Sequence, residues 1–160
     1  MFKVSFKDNF KKVSTFNNKI VVVTLTGKMK LPSWFFVSLP SEIQDWYSEH
    51  PSVEVDCNYN KEGCWEMTIT TYGKAKCNET DVFNPVIGMR IAESRAKLSM
   101  YKFMHTLSSK LISYYQSILY GEEGYRAKAF TSESLREVQN KYVRLAMLET
   151  NHIANLLEDL

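Results

Sequence analysis

Apolar and polar residues alternate along the first half of the chain and recur at helical spacing along the second. Residues 2–6 alternate, and residues 11–16 do so weakly. The stretch 19–26, with Ile20, Val21, Val22, Val23 and Thr24, is the densest in β-branched residues and predicts the strongest strand. Asn17, Asn18 and Gly27 punctuate it. Residues 33–38 form another apolar run, and 40–49 predict one short helix ended by Pro51. Near-strict alternation over 53–59 and a long run over 64–76 predict two more strands. Residues 60–63, with Gly63, form the hairpin loop between them. Together these segments predict an antiparallel sheet with one dry face.

From Pro85 to Tyr120 the period changes. No further proline interrupts the segment, and its one glycine, Gly88, lies near the start. Ile87, Ile91, Leu98, Tyr101, Met104, Leu107, Leu111, Tyr114 and Ile118 supply its apolar positions. A helix of that length spans about 50 Å, longer than one small sheet needs. Gly121 and Gly124 end it. Thr131 and Ser132 cap a second helix over 132–158, and Glu133 adds negative charge to its first turn. Leu135, Val138, Tyr142, Leu145, Leu148, His152, Leu156 and Leu160 follow heptad-like steps. The predicted fold is α+β in a single domain, 1–160: an N-terminal antiparallel sheet over 1–80, then a long helical hairpin over 85–160. Such a hairpin carries more apolar surface than the sheet covers. The expectation is a homo-oligomer, dimer or higher, with the helices at the interface.

The length, 160 residues, suits one domain with a real core, and 44% hydrophobic with 24% charged residues is a globular composition. A formal net charge of +2 is too small to imply nucleic-acid binding by bulk electrostatics. Lys3, Lys7, Lys11, Lys12, Lys19, Lys28 and Lys30 interleave with strand residues, as a solvated face does. No run of about eighteen apolar residues is present, and residues 1–6 lack the apolar core of a signal peptide. The expected location is the cytoplasm, the expected partners exclude membranes, and Cys57, Cys64 and Cys77 are expected as reduced thiols. Cys57 and Cys64 can face each other across the hairpin.

The segment from Tyr72 to Lys97 concentrates the candidate chemistry. Its switch from strand to helix carries Asp81, Phe83, Asn84, Pro85, Arg90 and Arg95. A helix N-terminus with free N–H groups, flanked by a ring and guanidinium groups, can receive a flat anion such as a nucleotide. The same residues also make a well-capped helix start, a commoner role. Arg90 and Arg95 lie about 140° apart on a helix, so they serve different faces. Arg95 shares its face with Ile91 and Leu98, which suggests an interface position that could contribute to a pocket built from two chains, with ion pairing to a glutamate the commoner role for such an arginine. Trp65 and Tyr72 fall on opposite faces of a regular strand, so only one of them can face this site.

Other chemistry is sparse. His50, His105 and His152 stand apart from one another and from the cysteines, so no metal site is expected. No phosphate loop, His-Glu-x-x-His or Gly-x-Ser-x-Gly is present, and no base stands beside a serine. No enzymatic activity and no cofactor are expected. Glu122–Glu123 and Glu158–Asp159 are solvated acids at a loop and a terminus. Trp34, Phe35 and Phe36 suit a buried strand better than base stacking.

Gly73, Lys74, Ala75 and Cys77, then Asp81 and Phe83, then Gly88, Ala92, Arg95 and Ala96 form a pattern. It resembles the first class of Thoeris anti-defence proteins, phage sponges that sequester a cyclic ADP-ribose signal. The resemblance covers about residues 72–98, and the rest by layout. It implies a non-enzymatic, oligomeric binder with ligand pockets between subunits. An aromatic ring stacks the base, and arginine and amide groups hold phosphates and ribose. Phe83 takes the stacking position, with Asn84, Arg90 and Arg95 as polar candidates and Asp81 and Lys76 completing the ligand-binding set. Asn84 stands where an aspartate is expected, and Glu79 replaces a proline. Relatives of this class are also thought to capture cyclic oligonucleotides. The alternatives are an oligomeric structural or protein-interaction subunit of phage origin, and a single-stranded nucleic-acid binder using Trp34, Phe36 and the N-terminal lysines.

Overall fold

The computed structural model describes residues 5–16, 19–31, 40–50, 53–59, 65–82, 84–117 and 135–158. Its elements in chain order are β1 (Ser5–Phe16), β2 (Ile20–Leu31), α1 (Ser41–Ser48), β3 (Val53–Tyr59), β4 (Trp65–Lys76), α2 (Pro85–Ser117) and α3 (Arg136–Glu158). The class is α+β, as the change of period predicts. The strands form a four-stranded sheet in the order β1-β2-β4-β3, and every neighbouring pair is antiparallel.

Two expectations about the first strands need correction. Residues 2–6 and 11–16 read as separate runs, whereas β1 is continuous from Ser5. Its register against β2 shifts between Asp8 and Phe10, a bulge that breaks the alternation without ending the strand. Gly27 reads as the end of the second strand, yet β2 continues to Leu31. Gly27 lies opposite Asp8, at the bulge, and opposite Ile69 on β4, a usual place for a glycine inside a strand. The pairing of Tyr59 with Trp65 places Cys57 opposite Met67, so Cys57 does not face Cys64. Cys64 itself, the apolar run 33–38 and the loop 60–63 lie outside the described residues.

The sheet has its dry face. Val21, Val23, Leu25 and Met29 of β2 and Met67, Ile69, Thr71 and Ala75 of β4 are buried on one side. The alternate residues point to the open side, where Thr26 and Thr70 share a 3.3 Å hydrogen bond and Lys28 meets Glu66 at 2.8 Å. Tyr72 is on that open side too, away from α2. A hydrogen bond to Glu54 raises its pKa.

Helix α2 lies across the dry face. The crossing is set at Gly73, where an added Cβ would run into the Ala92 carbonyl oxygen and come within 2.5 Å of the Ala96 nitrogen. Thr71 Oγ1 donates to the Ala96 carbonyl at 2.9 Å, which satisfies the buried hydroxyl. Beyond this point Met100, Phe103, Met104, Leu107 and Leu111 continue the main core with Leu25, Met29, Met67 and Ile69. Short helix α1 closes one side. Ile43 and Tyr47 are buried, and Trp46 stacks on Phe103 at 5.1 Å.

Helix α3 packs on α2 from the side away from the sheet and runs in the opposite direction. Gln139 Nε2 donates to Ser109 Oγ at 2.8 Å, and Tyr142 stands 5.8 Å from Tyr101. Farther along, Leu156 joins Ile91, Ala92 and Ala75 in a second small core. The connection between the helices lies outside the described residues. Covered on both sides, α2 has apolar residues around most of its circumference. The heptad reading of α3 holds only at first. Leu135, Tyr142 and Leu156 are buried and Val138 and Leu145 pack on the main core, but Leu148 and His152 are exposed. A straight helix drifts from a 3.5-residue step, so Ala146, Glu149 and Ile153 take the inner positions instead.

Candidate functional site

Strand β4 ends at Lys76, but its pairing with the start of β2 continues by one bond, from the Cys77 N–H to the Lys19 carbonyl at 2.8 Å. The chain then turns. The Asp81 N–H donates to the Asn78 carbonyl at 3.2 Å, and the Cys77 thiol donates to the Asp81 carbonyl at 3.5 Å. Pro85 opens α2, where a missing N–H costs nothing and its fixed φ suits a helix.

Asn84 is the cap of that helix. Its Oδ1 accepts from the N–H groups of Val86 at 3.0 Å and Ile87 at 3.2 Å, and its main-chain carbonyl accepts from Gly88 at 2.9 Å. The free N–H donors that the sequence suggests for an anion are therefore already bonded within the chain. Any anion held here is held by side chains.

Between the β4 end, the turn and the first turns of α2 lies a cleft of about 680 Å³. That volume is within the range of small-molecule sites. Ala75, Lys76 and Cys77 form one wall, and Thr80, Asp81 and Val82 the turn side. Helix α2 contributes Asn84, Ile87, Gly88, Ile91 and Arg95. Leu157, from the far end of α3, closes the floor. Its lining thus holds two cations and one carboxylate beside the apolar side chains of Ile87, Ile91 and Leu157. Arg95, on α2, is oriented by the neighbouring strand β4: Nη1 donates to the Lys74 carbonyl at 2.6 Å. Among the described residues this is its one hydrogen bond, which leaves four of the five guanidinium donors for solvent or a ligand.

Of the sequence candidates, Lys76, Asp81, Asn84 and Arg95 come together on this cleft. Arg90 is exposed and does not line it, as the 140° separation from Arg95 requires. Phe83 lies outside the described residues. Sequence reasoning missed Leu157, because nothing local connects it to residue 81. Ile87 and Ile91 are in the predicted apolar stripe, and their double role as floor and core had no separate signal. Apart from Lys74 and Phe83, the residues behind the resemblance divide in two. Gly73, Ala92 and Ala96 make the β4–α2 crossing, while Ala75, Cys77, Asp81, Gly88 and Arg95 line the cleft.

Elsewhere, His50 packs edge-on to Trp46 and Phe103, and its buried Nδ1 has no hydrogen-bond partner among the described residues. His105 is half-buried and His152 exposed. Burial pushes the Tyr47 phenol up to about 12, with the Cys57 thiol acting in the same direction. Burial also raises the Cys57 pKa, against a hydrogen bond from Tyr47 that lowers it. Among the described residues no three metal-ligating side chains cluster, and no helix is long and apolar enough to cross a membrane. Comparison with protein-family models, with curated proteins and with solved structures finds no match to the chain.

Proposed function

We propose that the protein binds and retains, without turnover, a cyclic nucleotide-type signal in the cleft at the β4–α2 junction. The ligand class is an isomer of cyclic ADP-ribose, with cyclic oligonucleotides as its wider form, and the role is phage anti-defence in the host cytoplasm. One observation carries the reading: Arg95, Lys76 and Asp81 line, together with Ile87, Ile91 and Leu157, one cleft of about 680 Å³. A nucleotide presents the complementary surfaces, charged phosphates beside flat apolar rings. Arg95 suits a phosphate through its planar fork, and Lys76 adds a second positive charge. Asp81 can accept from ribose hydroxyls, and the Asn84 amide nitrogen is still able to donate. The resemblance gives Phe83 the stacking role. Among the described lining residues no histidine stands beside the Cys77 thiol, which suits retention rather than catalysis.

The protein acts as a homo-oligomer in this reading. Helix α3 packs chiefly on α2, and its outer face leaves Met147 66% and Leu148 56% exposed. That same face favours the second reading, a structural or protein-interaction subunit, because an apolar helix face can serve assembly alone. The packing role of Gly73, Ala92 and Ala96 favours it as well.

The test is retention. The protein is incubated with candidate cyclic nucleotides, freed of unbound ligand, heat-denatured, and the supernatant assayed. Release of intact ligand in proportion to protein is the expected result. No release moves the assignment to the structural subunit, and release of a converted product overturns binding without turnover.

A further inference from the structure

Met147 is the midpoint of a charge pattern on the outer face of α3. Arg136 lies eleven residues before it and Glu158 eleven after. Eleven residues are about three helical turns plus 20°, so all three side chains share one line along the helix. All three are exposed. Neither Arg136 nor Glu158 is paired within the chain among the described residues. Val143, 41% exposed, and Leu148 flank Met147 on either side of that line. The opposite face of α3 is occupied by α2, and α2 in turn by the sheet, so among the described residues this line faces outward.

The order along the line is positive, apolar, negative. A surface of that kind is complementary to itself when turned end for end. Two parallel copies would set Arg136 against Arg136. Two antiparallel copies set each arginine against a glutamate, with Met147 on Met147. From these observations we infer that α3 packs antiparallel against α3 of a second copy, about a two-fold axis at Met147, with Arg136 facing the partner's Glu158. The inference rests on the homo-oligomer reading above and specifies its interface. An isologous contact of this type closes on itself as a dimer, or as the dimeric unit of a larger closed assembly.

The geometry limits the crossing angle. At the shallow angle of about 20° usual in antiparallel bundles, the helix axes diverge by about 6 Å three turns from the centre. An arginine and a glutamate span that gap. At about 50° the divergence is about 14 Å, and the pairs fail to meet. The arrangement therefore belongs to the shallow class.

The test uses the full chain and sedimentation velocity over a range of concentration, with circular dichroism to verify folding. Met147 is exposed in the single chain, so Met147→Asp should keep the fold and shift the wild-type species to half its mass. Arg136→Glu and Glu158→Arg each bring two like-charge contacts into the dimer and should weaken it on the order of tenfold. The double variant Arg136→Glu/Glu158→Arg restores opposite charges and should return within about threefold of wild type. A wild-type monomer at tens of micromolar overturns both this interface and the homo-oligomer reading. An oligomer indifferent to Met147→Asp and to both reversals overturns this interface alone. Single variants that weaken assembly without recovery in the double variant overturn the antiparallel register. If Met147→Asp fails to fold, the charge-reversal series still decides.

Discussion

Gly73→Ala should destabilise the protein, although in most strands the same change is harmless or helpful. The usual effect comes from the unfolded chain: alanine has less backbone freedom to lose, worth about 0.4–1 kcal/mol in favour of folding. At Gly73 the added Cβ meets the Ala92 carbonyl oxygen and approaches the Ala96 nitrogen to 2.5 Å. Both are main-chain atoms in the middle of α2, so no side-chain rotation relieves the contact. The helix must lift from the strand. Lifting loosens Ala92 and Ala96, each fully buried, and strains the 2.9 Å bond from Thr71 to the Ala96 carbonyl. Overpacking of a tight core costs about 1–3 kcal/mol, and loss of one buried hydrogen bond adds about 1 kcal/mol. The net loss expected is about 2 kcal/mol, which for a chain of this size lowers Tm by roughly 4–8 °C.

The assay is urea denaturation followed by circular dichroism, with thermal melts beside it. Ala92→Gly in the Gly73→Ala background is the control. It trims a side chain but leaves the carbonyl in place, so it should give no rescue. Lifting α2 would also move Arg95 away from the Lys74 carbonyl, so ligand retention should fall in molecules that remain folded. A Tm within about 1 °C of wild type would refute the reasoning, because the helix would then not touch the strand at Gly73.

Three further outcomes separate the cleft residues from their neighbours. Arg95→Ala should weaken nucleotide retention by about 1.5–3 kcal/mol, the worth of a charge-assisted contact, whereas Arg90→Ala should leave retention unchanged in calorimetric titration. Asn84→Ala should lower stability by about 1 kcal/mol through the lost cap, and a melt that fails to shift would refute the capping role. In a Cys64→Ser/Cys77→Ser background, Cys57 should alkylate slowly at neutral pH, because burial raises its pKa. Removing the lowering hydrogen bond by Tyr47→Phe should move the pH-rate midpoint for alkylation upward, and a downward shift would count against that bond.

The sequence reveals the sheet and the helices because burial there follows one period per element. Val21, Val23, Leu25 and Met29 all fall on odd positions of one strand and are buried on the face that α2 covers. What it conceals depends on contacts between elements. Asn9 and Gly27 break the pattern, and only the pairing of β1 with β2 shows a bulge rather than two strand ends. Leu148 reads as apolar and inward by heptad counting, yet the true 3.6 period turns it outward. Leu145 shows the reverse: it reads as an interface residue but packs on the chain's own core, so a charge there tests folding and not assembly.

The candidate site was legible in the same partial way. The junction, Asp81, Lys76 and Arg95 stand out by residue type, but Leu157 reaches the cleft only because α3 folds back along α2. The sharper lesson lies in the pattern that suggests a Thoeris sponge. Gly73, Ala92 and Ala96 are there because a strand and a helix approach closely, and any chain with that crossing favours small residues at those positions. Their presence therefore says little about a ligand. Asn84 is likewise accounted for by its cap. Functional weight falls on Arg95, Lys76 and Asp81, whose side chains are exposed and for which the fold makes no comparable demand. Arg95 carries most of it. Its guanidinium stands at the cleft, turned there by one carbonyl, and among the described residues four of its donors remain to meet a phosphate. That reasoning makes Arg95 the residue on which the nucleotide reading stands or falls.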